Sequence, residues 1–137
     1  MPKTDLPLFV YGTLRAGCGR AHHDFLSAAT ALGPASLIGA LYDVGGYPAA
    51  VAGDGQYLIH GELYDLRGDT DLLARLDAYE ECSAEFPEPR EYRREIVEVA
   101  QHHRLRPAWA YLYNRPTHGL PRIESGDYRQ YLTLLNP

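Results

Sequence analysis

Apolar and polar positions along the chain fall into short runs whose period changes several times. Residues 8–13 begin as an unbroken apolar run and halt at a glycine, which predicts a first strand bounded by Pro7 and Gly12. Residues 37–44 predict a second strand, closed by the turn signal Gly45-Gly46-Tyr47-Pro48. Residues 49–52 are apolar and short, and residues 57–66 predict another strand after the turn Gly53-Asp54-Gly55. Residues 91–99 alternate, with Ile96 facing opposite to Val97 and Val99, and the aromatic-rich residues 107–113 predict a last strand. The period becomes helical over residues 69–80, where Leu72, Leu73, Leu76 and Tyr79 recur behind the capping residues Asp69 and Thr70. Residues 20–26 predict a short helix, and residues 126–134 another with Asp127 or Ser125 near its start. About six short strands with two or three helices predict an α+β fold. A sheet so short and irregular is expected to curl into a small barrel, helices packed outside, with residues 1–137 forming one domain.

The helix over residues 69–80 sets one acid apart. On a wheel of about 100° per residue with Leu72 at zero, Tyr79 falls at about −20°, Leu76 at about 40° and Leu73 at about 100°. Glu80 falls at about 80°, between two leucines, whereas Asp77 at about 140° and Glu81 at about 180° face solvent. Two readings fit. Either the helix has ended and Glu80 begins a loop, or Glu80 is a partly desolvated carboxylate facing a cavity. Glutamate is rarely buried without a partner or a task, and desolvation would raise its pKa toward that of a working general base.

The first strand raises a second question. After Tyr11 the chain reads Gly12-Thr13-Leu14-Arg15, then Gly17 and Gly19, a stretch rich in backbone N–H groups. A plain turn fits it, and so does an anion site built from those N–H groups.

Composition narrows the field. The chain has 137 residues, enough for one core, and is 45% hydrophobic and 23% charged, as a folded soluble protein is. The net charge of −5 comes with no basic run longer than Arg93-Arg94, which argues against a nucleic-acid partner. No segment approaches the roughly 18 apolar residues of a membrane helix. Met1-Pro2-Lys3-Thr4-Asp5 leads straight into the first strand with no signal peptide, so a cytoplasmic protein without a membrane partner is expected. Cys18 and Cys82 are too few for a disulfide framework. The six histidines include the adjacent pairs His22-His23 and His102-His103, which do not converge on one ion, and no metal site is expected.

Tyr11-Gly12-Thr13-Leu14 after an N-terminal strand, with Leu76-Asp77-Ala78-Tyr79-Glu80 in mid-chain, resembles the gamma-glutamylcyclotransferase-like superfamily, closest to its short gamma-glutamylamine cyclotransferase branch. Gly46-Tyr47-Pro48-Ala49, Gly61-Glu62-Leu63-Tyr64, Tyr92-Arg93-Arg94 and Gly126-Asp127-Tyr128 extend the resemblance over nearly the whole chain, in order. The resemblance implies a small mixed β-barrel with flanking helices. It implies an acyltransferase reaction without metal or organic cofactor, in which the α-amine of a γ-glutamyl compound attacks its own side-chain carbonyl. The products are 5-oxoproline and an amine or amino acid. It further implies a substrate-holding loop of Tyr11, Gly12, Thr13 and Leu14, and Glu80 as the catalytic acid/base. The chain departs from many relatives in carrying Glu81-Cys82, not glycine, after that glutamate, followed by Glu85 and Glu88.

Several residues keep open roles. Arg15 either reinforces an anion site or is solvated. Cys18 has no matched base and is expected to pack. Of eleven tyrosines, Tyr11, Tyr111, Tyr113 and Tyr128 are the pocket candidates, with Tyr128 placed to close the pocket or to pack in the core. Glu62 shares a strand face with His60 and Tyr64. A non-catalytic protein binding a small carboxylate or a partner is the alternative function, and removal of a γ-glutamyl protecting group from a biosynthetic intermediate is another enzymatic one. An intact Glu80 weighs against anion binding alone.

Overall fold

The computed structural model describes residues 6–16, 18, 21–53, 57–80 and 90–135. Its strands are β1 (Leu8–Val10), β2 (Thr30–Asp43), β3 (Pro48–Ala52), β4 (Leu58–Asp65), β5 (Tyr92–Gln101) and β6 (Arg104–Tyr113). The α-helices are α1 (Thr70–Tyr79) and α2 (Tyr128–Leu135), and His22–Leu26 forms a single π-helical turn. β1 lies antiparallel to β4, through Phe9 opposite Leu63, and parallel to β6, through Leu8 opposite Trp109. β4 pairs with β2, β6 with β5, and a bridge between Ser36 and Ala100 returns β5 to β2. The ring β2–β4–β1–β6–β5 is therefore a closed, mixed five-stranded barrel, with β3 added on β2.

β1 reads as a continuous apolar run because both of its faces are covered. Phe9 belongs to the barrel interior with Leu37, Ile59, Leu63, Val99 and Leu112. Leu8 and Val10 point the other way, into a second cluster with Leu72, Leu73 and Leu76 of α1. The leucines that repeat at helical spacing thus bind α1 to the outside of the barrel. Asp69 caps this helix, its Oδ1 accepting the Leu72 N–H at 2.9 Å.

Two elements differ from their sequence pattern. β2 begins at Thr30, not at residue 37, because its first half carries Gly33-Pro34. The register against β4 shifts between Ala31 and Gly33, and Gly33 adopts a φ of 100°. That is a β-bulge, which breaks the alternation a strand is recognised by. His102 and His103 form the two-residue turn joining β5 to β6, with φ of 52° and 63°. Two positive φ values match the twist of a tight hairpin, a position where Asn-Gly is the usual signal.

On α1 the wheel misplaces two side chains. Tyr79, expected on the apolar face, is 42% exposed, because the helix has run past the barrel wall by its last turn. Its ring packs against that of Phe25 at a tilt of 54°, with centroids 5.0 Å apart. Asp77, expected in solvent, is half-buried between neighbouring strands. Arg94 of β5 grips it through two hydrogen bonds of 2.8 and 3.2 Å, and the Tyr111 hydroxyl of β6 donates a third at 2.7 Å. Among the described residues no helix is long and apolar enough to cross a membrane.

Candidate active site

The chain leaves β1 into a tight loop in which the Arg15 N–H donates to the Gly12 carbonyl at 2.9 Å. Among the described residues, no acceptor meets the N–H groups of Gly12, Thr13 or Leu14. Glycine is needed at position 12 by space alone: a Cβ there would stand 2.5 Å from Cγ of Pro48. The Tyr11 hydroxyl donates to the Tyr111 carbonyl, and the Thr13 hydroxyl lies 3.0 Å from that of Tyr79. These contacts fasten the loop to β6 and to the end of α1.

Arg15 is neither solvated nor part of the cavity wall. It is buried, with Nε 2.5 Å from Glu62 and Nη1 2.8 Å from Asp127, while Arg129 reaches Glu62 at 3.3 Å. Glu62 is therefore a partner of this guanidinium. Asp127 also accepts the Gln130 N–H at 3.1 Å at the start of α2.

A cavity of about 320 Å³ opens beside the loop. Residues 11–14 form one wall, the turn residues Gly46 and Tyr47 with Pro48 at the start of β3 a second, and Tyr79 with Glu80 a third. Glu91, Tyr92 and Tyr111 complete it. The turn is held from behind. The Tyr92 hydroxyl donates to the Pro48 carbonyl at 2.6 Å, and the Tyr128 hydroxyl to the Gly46 carbonyl at 3.1 Å.

Glu80 is the first residue past α1, its N–H still bonded to the Leu76 carbonyl at 2.9 Å. Burial pushes its carboxyl up to about 8, with the negative charge of Glu91 adding to the effect. Burial, and then Glu80 itself, raises the Tyr11 hydroxyl well above the usual phenol range. The Tyr47 hydroxyl donates to Glu91, a bond that raises its pKa to about 12.

Tyr11, Gly12, Thr13, Leu14 and Glu80 thus meet at one cavity. Tyr128 packs in the core behind Gly46, away from the wall, and Tyr113 also lies back from it. Cys18 packs partly buried against the barrel core. Sequence reasoning missed Tyr47, Tyr79, Glu91 and Tyr92 as wall residues. Three of them sit in or beside the segments Gly46-Tyr47-Pro48-Ala49 and Tyr92-Arg93-Arg94, so motif position was the available signal. Glu81, Cys82, Glu85 and Glu88 lie outside the described residues.

The description "Gamma-glutamyl cyclotransferase, AIG2-like" belongs to the family whose sequence model matches residues 8–130. The "Gamma-glutamylcyclotransferase family protein YtfP" of Escherichia coli is 39% identical over 122 residues, covering 88% of this chain and 94% of that one. The solution structure of the E. coli ytfP protein superposes with a TM-score of 0.64 at 35% identity, over 90% of this chain and 96% of that one. The crystal structure of YkqA from Bacillus subtilis gives a TM-score of 0.74 at 25% identity, over 96% of this chain and 42% of the longer YkqA chain. Ordered motifs, barrel and match over most of the length agree: this chain belongs to the gamma-glutamyl cyclotransferase, AIG2-like family.

Proposed function

We propose that the protein is a gamma-glutamylcyclotransferase-type acyltransferase that releases 5-oxoproline and an amine or amino acid from a γ-glutamyl compound. The observation that carries this reading is one cavity lined by Glu80, whose carboxyl burial pushes up to about 8, and by Gly12, Thr13 and Leu14, whose N–H groups meet no acceptor among the described residues. The neutral α-amine attacks the γ-carbonyl, forming the ring C–N bond. Glu80, as carboxylate, takes the proton that the attacking nitrogen sheds. The resulting carboxylic acid gives this proton to the leaving nitrogen as the original amide C–N bond breaks. No proton is gained or lost over the cycle.

Burial makes this exchange efficient. An α-amino group titrates at about 7.7–8.0 and an ordinary glutamate at about 4.3, so a solvated glutamate would take the proton about 5 kcal/mol uphill. A carboxyl at about 8 is matched to the amine, as general acid–base catalysis requires. The loop N–H groups hold the substrate's α-carboxylate or the developing oxyanion, the usual task of fixed backbone donors. The cavity also holds the folded conformer from which the five-membered ring closes.

The test is a panel of γ-glutamyl amino acids and γ-glutamyl amines, with 5-oxoproline measured directly. Turnover of at least one class is expected. Glu80→Gln keeps shape and hydrogen bonding and should lower turnover by at least about 10²–10⁴, with little change in binding. Full 5-oxoproline production by that variant would remove Glu80 from the mechanism.

A further inference from the structure

The proposed chemistry leaves one acid in the cavity wall without a task. Glu91 immediately precedes β5 and faces the same space as Glu80. It is anchored twice: its carboxylate accepts the Tyr47 hydroxyl, and its backbone carbonyl accepts the Asn114 N–H at 2.7 Å. Among the described residues of the wall there is no lysine, arginine or histidine to offset it.

The other titratable groups around Glu80 do not compete. Tyr11 after β1, Tyr47 in the turn, Tyr79 on α1, Tyr92 on β5 and Tyr111 on β6 present phenol hydroxyls, not carboxylates or amines. Asp77 of α1 is paired with Arg94 of β5, and Arg115 acts on Tyr47 from beyond the wall. Glu91 is therefore the charged neighbour that Glu80 meets within the described wall. Two carboxylates in one site resist ionising together.

We infer that Glu91, anchored by Tyr47, is a positioning residue whose fixed negative charge lets Glu80 keep the travelling proton between the attacking and the leaving nitrogen. This rests on the proposed cyclisation and gives the second carboxylate a role in it. Glu91 acts through Glu80 and need not touch the substrate. Its charge makes the Glu80 carboxylate a stronger base toward the amine and slows loss of the proton to water.

The experiment is a carbon-13 NMR titration of glutamate side-chain carboxyls in the substrate-free protein. Glu80→Gln identifies the Glu80 signal, and the midpoint is then read in wild type, Glu91→Gln, Glu91→Asp and Tyr47→Phe. Glu91→Gln should weaken proton affinity at Glu80 about tenfold. Tyr47→Phe, which frees Glu91 to swing away, should shift it in the same direction by less, and Glu91→Asp should restore most of it. The acid limb of kcat against pH should move down with the midpoint in Glu91→Gln. A folded Glu91→Gln protein with an unchanged Glu80 midpoint overturns the inference; if that variant does not fold, an unchanged midpoint in Tyr47→Phe does so. A wild type that makes no 5-oxoproline from the substrate panel would sink the cyclisation reading and the proton-transfer role with it, while the titration, which needs no substrate, still decides whether Glu91 governs the Glu80 carboxyl.

Discussion

Glu80 sits at the point where α1 stops being a helix, with φ of −83° and ψ of 2°. The last helical hydrogen bond fixes its backbone while its side chain turns into the cavity, and this combination has a thermodynamic signature. The folded carboxyl binds its proton more tightly than the unfolded one, about 8 against 4.5. Below the lower value both states are protonated and pH has no effect on stability through this group. Between the two values the folded state holds more protons, so stability falls as pH rises, and above the higher value the full penalty is present. Its size is on the order of a few kcal/mol. Glu80→Gln should accordingly melt with the wild type at about pH 4 and above it by a margin that grows toward about pH 8. Thermal denaturation of both proteins across that range decides the matter; a constant difference would mean that Glu80 is solvated.

At the scale of elements, the site is where a strand end, a turn and a helix end converge. The loop after β1 approaches the first residue of β3 so closely that position 12 has no room for a side chain. The obstacle is a proline ring, which cannot rotate aside. Gly12→Ala should destabilise the fold by about 1–3 kcal/mol, the usual cost of overpacking. It should also lower kcat/KM, because it displaces the loop N–H groups while leaving Glu80 in place. Denaturant unfolding and steady-state kinetics on the same preparation separate the two effects. Unchanged stability would show that the loop and the turn move apart freely.

For the whole molecule, Arg15 is the tie that joins three separate parts. It links the loop after β1 to Glu62 on β4 and to Asp127 at the start of α2. Its guanidinium is buried, and replacing it by an apolar side chain would leave two carboxylates facing each other. Arg15→Met should cost stability toward the lower end of about 3–5 kcal/mol, since Arg129 still reaches Glu62. Equilibrium unfolding measures this directly. A loss below about 1 kcal/mol would place the network among ordinary surface ion pairs.

Much of this architecture was legible along the chain because periodicity records which side of an element is buried. The leucines of α1 and its Asp69 cap follow from local spacing, as do five of the six strands in outline, whereas for Glu80 the spacing left both a loop start and an inward carboxylate open. Local spacing does not say what covers the buried side. The first half of β2 was missed because a bulge exists only relative to β4, and the His102-His103 turn because the hairpin imposes its φ values. Asp77 and Tyr79 exchanged environments since β5 and β6 wrap one flank of α1 and leave its last turn uncovered. Arg15 is buried by carboxylates that stand 47 and 112 positions further along the chain. Glu91 reaches Glu80 through the closing of the barrel, and Tyr128 stands behind the cavity because its hydroxyl is taken up by Gly46. The sequence by itself determined most of the elements, the leucine face of α1 and the segments that line the cavity. Tertiary packing decided which charges meet there, because electrostatic partners are set by distance through space and not by separation along the chain.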